Sequence, residues 1–411
     1  MKIKKINMSM LKMFFLFLYL ISISAYQLGS GFDAIFVRLS FVMLVGISIF
    51  SYPYLKIRLT EQLRWIIVFW SFYFISMIWA KDINDTMYYI NNFIQIFGLS
   101  ISIPLIITNR HDIEKFLNLF ILSMLWVVIR LIIKTPIESW GTERLGATIG
   151  LNPNTLGMRL VIVALICIYM FHKTWENKKV SRRKLKLFAY TAMFFIFNTI
   201  SLFSGSKKSL LFLISGVFIY EIVITKGWKV LIKIILLMAT VSFLIYLMFN
   251  NEQLYRVIGR RLERTILTLN GTASGLSIDQ SLLERNYFIS KAKELFGNNP
   301  ILGYGGNNFV TYMRETGYSH VAYCHNNYFE LLATLGLVGF VIYYYMWFRS
   351  AIRLLSSYIK YHDNLCLLFT ILIFAQFVMD YGVVSYIGEF TQLILIIGIM
   401  INKYINKEVR K

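Results

Sequence analysis

The sequence lacks the motifs with which many enzymes hold a metal, a nucleotide or a nucleophilic serine. Three cysteines in 411 residues are too few for a disulfide framework. No Cys/His spacing suits a metal, no glycine-rich loop suits a phosphate, and Gly-x-Ser-x-Gly is absent. We therefore expect no metal and no cofactor. The two halves also share no convincing repeat, which disfavours a transporter built from repeated bundles.

Apolar residues, by contrast, are abundant. They make up 57% of the chain, and 17% of all residues are aromatic. Apolar runs recur that are each long enough to cross a hydrocarbon core of about 30 Å. The sequence predicts an all-α integral membrane protein, one polytopic domain over 1–411 with about twelve transmembrane helices. The expected spans lie near 10–27, 34–51, 63–80, 91–107, 113–133, 151–171, 187–204, 209–225, 229–249, 326–348, 364–381 and 386–403.

The net charge of +21 is distributed as in a membrane protein. Lysines and arginines accumulate in alternate connections, namely the N-terminus, residues 172–186, residues 349–362 and the C-terminal tail. Basic connections stay in the cytoplasm, so an even number of spans places both termini there. We expect contacts with membrane lipids and none with nucleic acid.

Residues 250–325 form a long polar connection between the ninth and tenth spans, which the charge rule places outside the membrane. Within it, residues 253–270 carry an apolar stripe at helical spacing, and four arginines between 256 and 264 lie largely off that stripe. Two interpretations stay open. The helix lies on the membrane surface with its arginines toward lipid headgroups, or it packs on the protein with solvated charges.

A second amphipathic helix is expected over 281–296, and Arg285 falls within its apolar stripe, near Leu282 and Ile289. An unpaired charge is costly to bury, so an inward-facing arginine requires an anion. That anion is either a protein carboxylate or the phosphate of a ligand.

Cations and amides also lie at the outer ends of the sixth to eighth spans. Arg144 precedes the sixth span, Asn154 lies in its first turn, and Arg159 lies about two turns further in, where it should face the bundle interior or a wet cavity. Lys207 and Lys208 follow the short hairpin at 204–206, where they hold a phosphate or extend toward the membrane surface. The alternatives are an ordinary loop charge for Arg144 and a structural ion pair for Arg159.

His325 opens the tenth span. Its pKa, about 6.5 in the unperturbed side chain, suits the acceptance of a hydroxyl proton at neutral pH, although a cap or interface role is the alternative. The neighbouring Cys324 is a poor nucleophile candidate because adjacent side chains diverge. Further along the helix, Gly336 and Gly339 would let another helix approach closely.

These residues, taken in order, resemble the O-antigen ligase and repeat-unit polymerase superfamily of bacterial envelope polysaccharide assembly. The family pattern is a histidine, a polar residue, nine residues and Gly-x-x-Gly. The matching positions are His325, Asn326, Gly336 and Gly339, the loop with Arg144 and Gly146, Asn152 to Asn154, the hairpin with Ser204, Ser206 and Lys207, and Asn299, Pro300, Gly303 and Gly305. Twelve spans with a large outer loop are also similar to the family.

The resemblance implies a GT-C-like fold and a metal-independent, inverting glycosyltransferase in the bacterial cytoplasmic membrane, with its active site facing outside. Donor and acceptor would be oligosaccharides on undecaprenyl diphosphate, and a flippase and a chain-length regulator would be partners. His325 would be the general base, and the diphosphate or substrate would contact Arg144, Asn154, Arg159, Lys207, Arg285 and Asn326. Family members commonly carry arginine followed by glycine where this chain has Lys207 and Lys208.

Three functions are therefore expected to compete. A polymerase would join repeat units into a capsular, exopolysaccharide or O-antigen chain, and a ligase would move a finished glycan to another acceptor. A transporter for the same lipid-linked sugars would need charged residues along a path through both leaflets. Richness in lysine, isoleucine and asparagine suggests an AT-rich genome and favours the polymerase.

Overall fold

The protein, analysed as a computed structural model, is helical throughout the part that the structure describes. That part comprises residues 8–26, 32–51, 60–142, 144–318 and 323–408, and no strand occurs in it. The predicted all-α fold class is confirmed. The first seven and the last three residues, for which a cytoplasmic location is predicted, lie outside the described residues.

In the part of the chain that the structure describes, ten helices precede the long polar connection, four lie within it and three follow it. The first ten, α1 to α10, are Met8–Ala25, Phe32–Phe50, Glu61–Ile75, Ile83–Met87, Ile90–Ile106, Arg110–Lys134, Pro153–Glu176, Arg183–Phe203, Lys207–Ile224 and Lys229–Asn250. The others, α11 to α17, are Glu252–Leu254, Arg260–Leu269, Gln280–Asn298, Phe309–Glu315, Asn327–Tyr361, Asn364–Asp380 and Glu389–Glu408. Short 3₁₀ turns cover Ser76–Ile78, Ile137–Ser139, Ala147–Ile149 and Gly275–Ser277.

Each of the twelve predicted spans overlaps a helix. Among the described residues, eight helical segments are long and apolar enough to cross a membrane, and α16 is apolar but shorter. The 18 residues of α9 include the charged Lys207, Lys208 and Glu221, which lower its suitability for a bilayer. The protein is therefore an all-α membrane protein, and the count of twelve spans stays a prediction.

Contacts divide the chain into two compact units, each assembled from three stretches. The first unit consists of Met1–Ile47, Asn109–Asp279 and His362–Leu372. The second unit consists of Ser48–Thr108, Gln280–Tyr361 and Ile373–Lys411. The boundary between Asp279 and Gln280 divides the helices of the polar connection between the two units.

In the first unit, α7 is buried on most sides, because its residues from Leu160 to Cys167 are apolar all round the helix.

The charged side chain of Arg159 in α7 lies at the end of another helix. Arg159 donates to the carbonyls of Ile23 and Ser24, 2.8 and 3.1 Å away, in the last turn of α1. A cation at a helix C-terminus stabilises the unpaired carbonyls there, so Arg159 faces the protein interior as predicted.

In the second unit, α15 is interrupted at Gly336, whose φ of +62° and ψ of −167° are not helical. The turn at 299–305 lies against this break, with the carbonyl of Pro300 accepting from the Leu337 N–H at 2.8 Å. Gly336 was expected to allow the approach of a helix. The structure corrects this, since an irregular turn approaches instead and bonds the N–H groups that the break releases.

The predicted helix over 253–270 is divided. A π turn at Tyr255–Gly259 precedes α12, and Val257 and Ile258 in that turn are buried. Ile266 and Leu269 near the end of α12 are exposed. The beginning of this segment therefore packs on the protein, whereas its end presents apolar side chains at the surface.

Replacement of Gly336 by alanine tests the break in α15. A Cβ there would lie 2.2 Å from the Ile301 carbonyl oxygen, and the positive φ is unfavourable for alanine. We expect Gly336→Ala to lower the free energy of unfolding by roughly 3 kcal/mol. Gly297→Ala in α13 is the control, because no atom lies within 4 Å of its Cβ position. Equal melting temperatures for both variants in detergent would contradict the prediction.

Candidate active site

Four of the predicted site residues, Arg144, Asn154, Arg159 and Lys207, belong to the first unit, and Arg285, His325 and Asn326 belong to the second.

The first group surrounds the hairpin at 204–206 between α8 and α9. Gly205 has a φ of +62°, which makes the tight turn possible. Ser206 caps α9, because its hydroxyl accepts from the Ser209 N–H at 3.3 Å. The hairpin thus presents the N-terminus of a long helix, which carries partial positive charge.

Two arginines bind the carbonyls of this hairpin. Arg144 Nε donates to the Ser204 carbonyl at 2.8 Å, and its Nη2 donates to Asn154 Oδ1 at 2.7 Å. Arg261 Nη1 donates to the Gly205 carbonyl at 2.6 Å. We call Arg144, Asn154, Lys207 and Arg261 the turn cluster. Guanidinium groups beside a helix N-terminus provide the electrostatics that an anion requires.

Lys207 in the turn cluster already has an acidic partner. Its Nζ lies 2.7 Å from Asp279 Oδ2, and it also contacts the Thr265 hydroxyl. The lysine charge is thus paired within the protein, whereas the two arginines of the cluster donate to carbonyl oxygens of the hairpin. Arg159 lies apart from this arrangement, since it binds the end of α1.

The second group is built around His325, which lies just before α15. The residue has a φ of +56°, an uncommon conformation for a side chain other than glycine. Its ring stacks on Phe288 of α13 with centroids 5.9 Å apart, and the Tyr323 ring lies 4.3 Å away at a tilted angle. We call Arg285, Phe288, Tyr323 and His325 the histidine cluster.

Both neighbours of His325 in the chain are held by buried polar groups. The Cys324 N–H donates to Glu330 Oε2 at 2.7 Å. Asn326 is the N-cap of α15, with Oδ1 accepting from the N–H groups of Tyr328 and Phe329 at 3.0 and 3.1 Å. Asn326 and Glu330 are fully buried. The backbone on either side of the histidine is thereby fixed.

Cys324 is unsuited to nucleophilic chemistry. The thiol is fully buried, and burial raises its pKa, with a further rise from the Glu330 carboxylate. A thiol with a raised pKa stays protonated at neutral pH and reacts poorly. The sequence-based expectation that Cys324 is no nucleophile agrees with this environment.

Arg285 lies one helical turn before Phe288 and is partly buried. Burial raises the pKa of Tyr323, and the Arg285 cation opposes that rise, which places its charge near the histidine cluster. In the described ranges no carboxylate forms an ion pair with Arg285. Of the two partners that the sequence allowed, the protein carboxylate is thus not found among these residues.

A buried polar network behind the histidine cluster was not predicted. Asp380 Oδ2 accepts from Tyr344, and Oδ1 accepts from Gln376 and Ser385, all within 2.7 Å. Asn327 Oδ1 accepts from the Ser385 N–H at 2.8 Å and thus joins the start of α15 to this network. Arg261 and Glu330 were also missed as contributors to a site. For Glu330 the available signal was its position five residues after His325, whereas no signal in the sequence linked Arg261 to Gly205.

Among the residues that the structure describes, no three His, Cys, Asp or Glu side chains lie where they can share a metal ion. The two clusters instead offer cationic nitrogens and one imidazole. Such groups bind anions and transfer protons.

Comparison with known proteins gives one family. Residues 191–344 match the family model described as O-antigen ligase. The match contains the hairpin, Arg285 and the histidine with its two glycines. It confirms the resemblance that the sequence motifs indicate. None of the curated proteins compared with the chain matches it.

The geometry of the turn cluster is tested by Gly205→Ala, with Gly227→Ala as its control. Both glycines have a φ near +60°, so alanine is equally strained at either position. At Gly205 a Cβ would lie 2.7 Å from the Val257 carbonyl oxygen and 3.3 Å from Arg144 Nε, whereas Gly227 has nothing within 4 Å. We expect Gly205→Ala to lower the free energy of unfolding by about 1 to 3 kcal/mol more than Gly227→Ala does. The Gly205→Ala variant should therefore have the lower melting temperature of the two.

Proposed function

Because residues 191–344 match the O-antigen ligase family model, we propose that the protein is a membrane glycosyltransferase that joins lipid-linked oligosaccharide repeat units into a polysaccharide. Both substrates are carried by undecaprenyl diphosphate at the outer face of the bacterial cytoplasmic membrane. The observation that carries the proposal is the partly buried Arg285, whose charge acts on Tyr323 next to the His325 ring and which forms no ion pair with a described carboxylate.

In the proposed reaction an acceptor hydroxyl oxygen attacks the anomeric carbon of the donor. The bond from that carbon to the diphosphate oxygen breaks, and undecaprenyl diphosphate leaves. The hydroxyl proton passes to the imidazole of His325, which acts as general base. One displacement inverts the configuration at the anomeric carbon.

A diphosphate is a good leaving group, so the main requirement is stabilisation of the negative charge that develops on its oxygens. We assign Arg285 to the donor diphosphate. We assign Arg144, Arg261 and Lys207 to a diphosphate group as well, with the arginines as the stronger contacts because a planar guanidinium donates two parallel hydrogen bonds. No metal is required in this scheme.

Asn154, Arg159 and Asn326 stay predicted substrate contacts. Asn154 is the best placed of the three, because it already bonds Arg144. Asn326 supports the reaction indirectly by capping α15 next to the base.

A ligase is the second candidate, and the description of the matched family favours it. The two functions differ in the acceptor and not in the chemistry.

The polymerase and the ligase can be distinguished by incubating the purified protein with a lipid-linked repeat unit alone, in the presence of a chelator. A ladder of products on a gel supports the polymerase. Transfer only after addition of a different acceptor supports the ligase, and absence of transfer to any acceptor contradicts both.

Loss of the base is tested by His325→Ala. A general base contributes about 10² to 10⁴ in rate, so we expect the turnover to fall at least about 100-fold. His362→Ala is a matched control, because His362 also has a positive φ, +50°, but lies outside the histidine cluster. A product ladder formed at the original rate by the folded His325→Ala variant would exclude the assigned base.

The assignment of Arg285 is tested by replacement with glutamine and with lysine. Loss of a charged hydrogen bond costs about 1.5 to 3 kcal/mol, so Arg285→Gln should lower kcat/KM for the donor roughly 10- to 150-fold. Arg285→Lys should recover part of that loss because it restores the charge. Lys291→Gln, which removes a cation paired with Glu294 on the same helix, should leave the kinetics unchanged. Unaltered donor kinetics in a folded Arg285→Gln variant would return the residue to a structural role.

A further inference from the structure

A cavity of about 330 Å³ lies between α7, α8, α9 and α10 of the first unit. Much of its wall is apolar, formed by Cys167, Ile168, Phe171 and Phe194. Thr191, which also lines it, is exposed, so the cavity reaches the surface of the unit. The hairpin at 204–206 is at the opposite ends of α8 and α9, about 20 Å away along the helices.

One end of the cavity is ionic. His172 Nε2 lies 2.6 Å from Glu221 Oε1, and Lys233 contacts the other oxygen of the same carboxylate. These three side chains come from α7, α9 and α10. Ionisable groups within apolar helices are costly and usually mark a functional site. An ammonium group has three donors, of which Glu221 takes one, so Lys233 retains donors for a second anion.

Two tryptophans mark the depth of this ionic end in a membrane. Trp175 and Trp228 are 57% and 72% exposed, and exposed tryptophans of membrane proteins lie at the headgroup level. His172 precedes Trp175 by three residues, and Lys233 follows Trp228 by five. At 1.5 Å per residue, both lie roughly 5 to 8 Å inside that level. A lysine at this depth reaches outward to a lipid phosphate.

The surface around the cavity attracts negative charge. Residues 172–186 contain seven lysines and arginines but a single acidic residue, Glu176. Lys226 and Lys229 add two exposed cations before the start of α10 and at its first position. The outer faces of α8 and α10 expose large apolar side chains such as Phe188 and Ile235. A basic pocket between transmembrane helices is the form in which membrane proteins bind anionic lipid headgroups.

We propose that this cavity binds an anionic phospholipid. One acyl chain lies along Ile168, Phe171 and Phe194, and the phosphate is bound by Lys233, whose partner Glu221 is held in position by His172. A phospholipid suits both parts of the cavity, because its phosphate can bind at the ionic end while its acyl chain contacts the apolar wall. The site is separate from the proposed transfer reaction and does not depend on it.

Native mass spectrometry of the delipidated full-length protein tests the proposal, with phosphatidylglycerol and phosphatidylcholine as probes. We expect one phosphatidylglycerol to bind at least about tenfold more tightly than phosphatidylcholine, a difference that one charged contact supplies. Lys233→Gln should abolish this preference. Lys229→Gln, which removes an exposed lysine one turn away on α10, should preserve it. Equal affinity for both lipids in the unaltered protein would overturn the proposal.

A second variant separates lipid binding from a purely structural ion pair. In Ile168→Trp the larger side chain occupies the apolar part of the cavity, while Glu221 and its partners are unchanged. We expect it to abolish phosphatidylglycerol binding without a lower melting temperature. Binding that persists would show that the cavity does not hold the acyl chain. Displacement of phosphatidylglycerol by equimolar undecaprenyl phosphate would identify a different lipid and overturn the assignment to a phospholipid.

Discussion

A polar group that lies among apolar helices has to find its partner within the protein, because the surroundings offer no water. This constraint determines where the polar chemistry of the chain occurs. Asp380 accepts from four side chains, Arg159 donates to carbonyls in the last turn of α1, and Glu221 contacts both His172 and Lys233. In each case the polar residue also joins separate helices. The interactions that satisfy buried polar groups are thus the ones that fix the ends of the helices.

The same constraint explains why His325 is well held. Its ring packs on two aromatic rings, while the backbone before and after it is bonded to buried side chains. A side chain held in this way loses little conformational entropy when it adopts a single orientation. The positive φ at the histidine lies between two fixed points of the backbone, the Cys324 N–H bonded to Glu330 and the Asn326 cap of α15.

The sequence was most informative where the signal is periodic. Apolar runs located the helices, and the 100° spacing placed Arg285 on the buried side of α13, beside the residues that now surround His325. It was least informative about pairs that are distant in the chain. Nothing local links Arg261 to Gly205 or Lys207 to Asp279, since these contacts exist only after the helices pack. The role of Gly336 was misjudged because the spacing of two glycines does not reveal what approaches them.

The interruption of α15 at Gly336 also has a mechanical meaning. Residues 327–335 form a short helical segment that is bonded to the turn at 299–305, while the residues beyond the break continue as a long helix to Tyr361. Since an interrupted helix transmits bending poorly, the segment that follows the histidine takes its direction from the turn. Sequence changes in that turn are therefore a route by which evolution can reorient His325 without changing the long helix beyond the break.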